Sequence, residues 1–312
     1  MPMLTFIIPV ISKEISDNWD LALANLRKTL TSVKNQTVSN WRVLIVSQTR
    51  PDVQYLEDKI IYVHADFKPA HKYLKSIKLS AVKRAVCRRA NDLDRVRKIR
   101  VAAATLHEYR TDFVMLLEAD DLVSNRLCEF VLQNKEANGW SIQKGYTWDG
   151  RSSYMLQTNR LAAISGSSWI VKVFYEMLPE DMPIDVDPTT LSLVSSGCPF
   201  LDNGHRKMRD GMAQAGKPMQ TLPFRGAIYH WGHGVNLSGQ CINKDESLSL
   251  SGKIRRWWSN VFFVLKNRKN RVYLTESLES EFAIKSKSDA VVETSINGVP
   301  VEESRLSHLP GT

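Results

Sequence analysis

An unbroken apolar run, Phe113-Val114-Met115-Leu116-Leu117, ends in Glu118-Ala119-Asp120-Asp121. Carboxylates this close together at the end of a strand suit a hard divalent cation such as Mg²⁺ or Mn²⁺, which prefers oxygen ligands and keeps positions open for phosphate oxygens. Asp120 and Asp121 are the candidate metal ligands, with Glu118 beside them. The same residues also read as a solvated acidic turn capping a helix expected from about Ser124. A second group lies farther on, where Tyr229-His230-Trp231-Gly232-His233 carries two histidines three apart. Neutral imidazole ligates divalent ions, although histidines at this spacing are more often structural. Between these groups, Phe200-Leu201-Asp202-Asn203-Gly204-His205 places Asp202 ahead of a helical stretch from Arg206 to Ala215. Asp202 reads either as a general base or as an N-cap. Asp185 and Asp187 are weaker rivals for the base and read as loop residues.

The elements that must position these residues are legible in the first half of the chain. Leu4 to Val10 is a short apolar run typical of a buried parallel strand, and Leu23, Leu26, Leu30 and Val33 then share one helix face. Trp41 to Val46 is a second β-rich run, Ile60 to Val63 a third, and Phe113 to Leu117 a fourth. The pattern from Val96 to Leu106 is helical, while the basic stretch from Lys68 onward reads as part loop, part helix. Strand, helix, strand implies a parallel sheet, and ligands in such sheets bind outside the carboxyl ends of the strands, where the acidic group falls.

Composition sets the outer limits. The chain has 312 residues, 43% hydrophobic and 24% charged, which is an ordinary globular composition. Its opening residues read as a strand rather than a signal peptide. Cys87, Cys128, Cys198 and Cys241 lack zinc-site spacing and read as free thiols of a reducing, cytoplasmic setting. Forty-two Lys and Arg against 33 Asp and Glu give a net charge of +9, which favours anionic partners without choosing among them.

Taken in order, Thr5-Phe6-Ile7-Ile8-Pro9-Val10, Leu30-Thr31-Ser32-Val33 with Gln36-Thr37, Trp41 to Val46, and Phe113 to Asp121 resemble the first strand, helix, second strand and D-x-D element of family 2 glycosyltransferases. The family usually has Asp where this chain has Glu118, and many relatives carry an acid near Ser47-Gln48-Thr49. The resemblance implies a GT-A, Rossmann-like α/β fold with a mostly parallel central sheet flanked by helices. It further implies inverting transfer of a sugar from a nucleotide-diphosphate donor to a glycan or lipid-linked acceptor, as in polysaccharide biosynthesis, with Mn²⁺ or Mg²⁺ as cofactor. Residue by residue, it assigns donor contacts to Pro9, Val10, Asp94, Lys98, Glu118, Ala119 and Asp120, and a neighbouring cation to Arg97. The acceptor pocket falls to Gly166, Ser167, Ser168 and Trp169, the metal to Asp120, Asp121 and His233 with His230 in reserve, and the catalytic base to Asp202.

The expected division is 1–123 for the nucleotide-sugar half, 124–242 for the acceptor half of the same catalytic domain, and 243–312 for a basic amphipathic helix and a loose tail beginning near Glu276. Ile254, Trp257, Trp258, Val261, Phe262 and Leu265 form an apolar stripe bordered by Lys253, Arg255, Arg256, Lys266 and Arg268, which suits peripheral contact with the cytoplasmic face of a membrane. Two other classes compete. A nucleotidyltransferase would need a glycine-rich phosphate loop after the first strand, and none is present. An inactive basic membrane- or nucleic-acid-binding module would need an organised basic motif, so no nucleic-acid partner is expected.

Overall fold

The computed structural model describes residues 3–56, 58–69, 80–187, 192–231 and 268–284. The chain opens with β1 (Leu4–Pro9), α1 (Trp19–Lys34), β2 (Trp41–Ser47), β3 (Ile60–His64) and α2 (Ser80–Ala104). It continues through β4 (Phe113–Leu116), β5 (Leu122–Val123), α3 (Leu127–Gln133), β6 (Gly139–Ser141), β7 (Gly145–Trp148), β8 (Tyr154–Thr158) and β9 (Trp169–Lys172). Then come β10 (Val186–Asp187), β11 (Ser192–Leu193), α4 (Pro199–Asp202), α5 (Met208–Gln214), β12 (Gln220–Thr221), β13 (Ala227–His230), β14 (Arg271–Tyr273) and α6 (Glu276–Phe282).

The result is a mixed α/β fold around a seven-stranded sheet in the order β12-β6-β9-β4-β1-β2-β3. Only β9 runs against its neighbours β4 and β6; the other pairings are parallel, as the sequence pattern predicts. Period-two alternation explains why the strands read as continuous apolar runs: both faces are covered. Phe6, Ile8, Val43, Ile45, Phe113 and Met115 face one core with Leu26, Leu30 and Val33 of α1 and Val131 of α3. Ile7, Leu44, Val46, Val114 and Leu116 face the other, with Ala102 and Ala103 of α2 and Met208 and Met212 of α5. α1 starts where the Asn18 side chain accepts from the Leu21 N–H at 3.0 Å, a conventional N-cap. At Gly139, φ is +136° and an added Cβ would lie 2.2 Å from the Ile170 carbonyl oxygen, so β6 approaches β9 only because this residue is glycine.

A second sheet, β14-β8-β7-β13-β5, returns the chain to the acidic turn. Its strand β13 pairs antiparallel with β5, placing Ala227 opposite Val123 and Ile228 opposite Leu122. The C-terminal residues described join this sheet: β14 pairs with β8, and α6, at the start of the expected tail, buries Phe282 completely against Tyr146. Thr275 caps α6 and Glu281 holds Ser124 and Arg126, which ties this helix to the segment just after the acidic turn. Polar composition misled the expectation of a loose tail there, because one phenylalanine supplies the anchor. The amphipathic stretch 253–266 lies outside the described residues. No described helix is long and apolar enough to cross a membrane.

Candidate functional site

A cleft of about 290 Å³ opens at the carboxyl ends of β1 and β4. Its floor is Pro9, Val10 and Ile11 from the end of β1 and Glu118, Ala119 and Asp120 from the end of β4; Ala22 and Asn25 of α1 and Asp92 and Arg95 of α2 form walls. Ile164 to Gly166, His205, Arg206 and Tyr229 complete the lining. Five of the residues expected to touch a donor, Pro9, Val10, Glu118, Ala119 and Asp120, are thereby brought together, with Gly166 from the expected acceptor loop.

The acidic residues divide into three environments. β4 continues one residue past its end, where the Leu117 N–H donates to the Ile7 carbonyl at 2.9 Å. The chain then turns, with the Asp121 N–H donating to the Glu118 carbonyl at 3.2 Å. This turn leaves Asp120 on the cleft and carries Asp121 inward. Asp121 is fully buried; its Oδ2 accepts from the Ser165 hydroxyl at 2.7 Å and its Oδ1 from the His230 backbone N–H at 3.0 Å. Burial, reinforced by repulsion from Asp120, pushes its carboxyl well above the usual range. The expectation of a metal contact from Asp121 is therefore at odds with its geometry, since its oxygens join β13 and the 165–168 loop to the acidic turn. Glu118 is pulled to one side by Arg95, whose Nη1 lies 2.7 Å from its Oε1. Burial pushes Glu118 upward, Arg95 opposes this, and repulsion from Asp120 adds to it.

Asp94 and Lys98 do not reach the cleft. They are 3% and 1% exposed and pair with each other, Lys98 Nζ to Asp94 Oδ2 at 2.6 Å, while the Gln48 side-chain amide donates to Asp94 Oδ1 at 3.0 Å. Burial lowers the Lys98 ammonium pKa and Asp94 holds it up. The pair braces α2 against the end of β2, so their expected donor contact is replaced by a supporting one. Arg97 donates to the Ile184 carbonyl and lies over the Phe67 ring.

On the expected acceptor side, Gly166 borders the cleft so closely that a Cβ there would meet Glu118 Oε1 at 2.1 Å. Ser167 and Ser168 are fully buried and Trp169 nearly so; the Ser167 hydroxyl accepts from the Glu118 N–H at 2.9 Å, fixing the turn instead of facing a ligand. His230 is also buried, stacked on Trp148 with 5.8 Å between centroids. Gly150, at φ +74°, leaves room for its ring, since a Cβ there would approach His230 Nε2 at 2.3 Å. His233 lies outside the described residues. Among the described residues, no three His, Cys, Asp or Glu side chains converge as a metal cage.

Asp202, expected as the base, is the last residue of the one-turn helix α4 and borders a second cavity of about 310 Å³. Its oxygens are saturated. Arg100 Nη2 donates to Oδ1 at 2.7 Å, the Ser195 hydroxyl to Oδ2 at 2.6 Å, and the Ser196 and Gly197 N–H groups add bonds of 2.9 and 3.0 Å. Burial alone would raise its pKa, but these donors and the Arg100 guanidinium outweigh it and hold Asp202 below the usual carboxylate range. A carboxylate held this way anchors a loop and is a poor proton acceptor. The residues that the sequence reading passed over are Asn25, Asp92, Arg95, His205, Arg206 and Tyr229, which come from four separate segments and meet only through the fold.

No protein-family model matches the sequence, and comparison with curated proteins finds no match. Among solved structures, the chain is similar to the crystal structure of S. aureus TarS 1-349, at 9% identity and a TM-score of 0.36, over 73% of this chain and 60% of that one. A crystal structure of S. aureus TarS aligns at 12% identity and a TM-score of 0.40, over 73% of this chain and 37% of that one. The chain thus spans less than two thirds of either, and neither likeness assigns a family or an activity.

Proposed function

We propose that this chain is a glycosyltransferase that moves a sugar from a nucleotide-diphosphate donor to an acceptor hydroxyl. The observation that carries this reading is the cleft itself: two of the four ordered motifs of the family 2 resemblance, the first strand and the acidic turn, meet at one cavity at the carboxyl ends of β1 and β4, with Asp120 on its floor. A divalent metal fits the described donor set as a guest arriving with the diphosphate, because Mg²⁺-type ions use one or two carboxylates and complete their shell with phosphate oxygens and water. Asp120 would hold it, and bound there it would stabilise charge growing on the departing diphosphate.

The protein's own residues do the remaining work. Arg95 fixes Glu118 at 2.7 Å and so keeps the cleft wall in place, and Asp121 anchors the turn that presents Asp120. Arg206, whose Nε donates to the Ala163 carbonyl at 3.1 Å, is a second cation lining the cleft, suited to diphosphate charge. Displacement across such a cleft inverts the anomeric centre when the acceptor enters opposite the leaving group. The acceptor is a glycan or a lipid-linked acceptor, and the basic stretch 253–268 serves as the membrane-facing segment of an enzyme working at a cytoplasmic surface. Incubation with a panel of nucleotide-diphospho-sugars and Mn²⁺, reading nucleoside diphosphate release, tests the proposal. Release from one donor supports it; no release or thermal stabilisation with any donor rejects it.

A further inference from the structure

We propose that the His205 imidazole, and not a carboxylate, accepts the proton of the attacking acceptor hydroxyl, an assignment that rests on the glycosyltransferase reading above. The position is the first reason. His205 lies in the loop between α4 and α5 and borders both the cleft that holds Asp120 and the second cavity that holds Asp202; Arg95 is the other residue common to both. It lines that cleft together with Pro9, Arg95 and Asp120.

The second reason is its bonding. A buried structural histidine normally spends its ring nitrogens on hydrogen bonds, yet His205 Nε2 is buried and has no partner among the described residues. Three of the neighbouring carboxylates are committed elsewhere, Asp202 to Arg100 and the 195–197 loop, Glu118 to Arg95, and Asp120 to the proposed metal, which leaves Asp92 on the α2 side of the cleft as the rival base. Burial, then the charges of Arg95 and Arg206, lower the imidazole to about 4, which keeps it neutral at neutral pH and makes it a weak base while the cleft is empty. Diphosphate bound in the cleft offsets those two arginines, which raises the proton affinity of the ring when the donor is in place.

In the step, the acceptor O–H bond breaks and its proton goes to a ring nitrogen. The acceptor oxygen's electron pair forms the new bond to the anomeric carbon. The bond from that carbon to the diphosphate oxygen breaks, its pair leaving with the nucleoside diphosphate, and the imidazolium then releases its proton to solvent.

The test uses the full chain and, since the acceptor is unidentified, water as the acceptor. Nucleoside diphosphate release from a nucleotide-sugar panel with Mn²⁺ is measured for wild type, H205A, H205Q and D92N, with melting temperatures alongside. The proposal expects kcat to fall by roughly 10²–10⁴-fold in both His205 variants. The donor KM should stay within about threefold, and added imidazole should restore part of the H205A rate. Three results overturn the base assignment alone: turnover near wild type in H205A and H205Q, a loss confined to D92N, or a loss in H205A that imidazole does not relieve. No turnover and no donor binding in the wild type overturns the glycosyltransferase reading, and this assignment with it.

Discussion

Replacing Asp121 tests the claim that the second carboxylate of the acidic turn is a fastener. Asp121→Ala removes the acceptor of two short hydrogen bonds, from the Ser165 hydroxyl at 2.7 Å and the His230 N–H at 3.0 Å, and strands both donors in a dry interior. Each unsatisfied buried donor costs about 1–3 kcal/mol. Relief of the repulsion between Asp121 and Asp120 and of the cost of burying a carboxyl returns part of this, so the net loss is about 2–4 kcal/mol. Asp121→Asn keeps one acceptor but turns an amide NH₂ toward a donor, and should lose about half as much. Urea unfolding of the three proteins gives the differences directly. If Asp121→Ala unfolds within about 0.5 kcal/mol of wild type, the hydrogen bonds carry no weight and the turn is held by something else.

Gly166→Ala drives a Cβ to 2.1 Å from Glu118 Oε1 and 3.0 Å from Arg95 Nη1. The Arg95–Glu118 pair must shift, so stability should fall by about 1–3 kcal/mol and nucleotide affinity should weaken in calorimetric titration; unchanged values in both would show that the pair yields freely. Asp202→Asn removes the charge that Arg100 and the 195–197 loop bind but keeps one acceptor oxygen, and because the residue is exposed it should cost about 1–2 kcal/mol at neutral pH. Because the folded pKa of Asp202 is depressed, its contribution is complete above the ordinary carboxylate pKa of about 4 and is lost as pH falls through the folded value. The stability gap between Asp202→Asn and wild type, followed by denaturant melts, should therefore close in acid; a gap that persists would mean the carboxylate charge is not what stabilises the loop.

How much of this was legible in the sequence follows from how local each signal is. Strands β1, β2 and β4 announce themselves because both faces are buried and nearly every residue is apolar, and α1 because Leu23, Leu26, Leu30 and Val33 recur at helical spacing. The turn at Glu118 is legible as an acidic group at a strand end, but nothing in three adjacent acids says which one turns inward; that is decided by Ser165 and the His230 N–H, far along the chain. Asp94 and Lys98 did carry a usable signal, since opposite charges four apart on a helix favour pairing with each other. Asp202 looks like a base because it precedes a helix, whereas its role is set by Arg100 and by the N–H groups of Ser196 and Gly197. His205 has no local pattern at all, and only the packing of the 203–207 loop beside the strand ends brings it to the cleft. The short helix α6 was hidden by its polar composition, with Phe282 as its one large buried anchor.

The central claim is that Asp120, on the cleft floor, holds a metal that grips a diphosphate. It is tested most directly by calorimetric titration of nucleoside diphosphates, with and without Mn²⁺, into wild type and Asp120→Asn, whose folded state is checked by its melting temperature. The account predicts Mn²⁺-dependent binding by wild type that weakens at least tenfold, about 1.4 kcal/mol, in Asp120→Asn. Binding of equal strength in the two proteins, or binding indifferent to Mn²⁺, would contradict it.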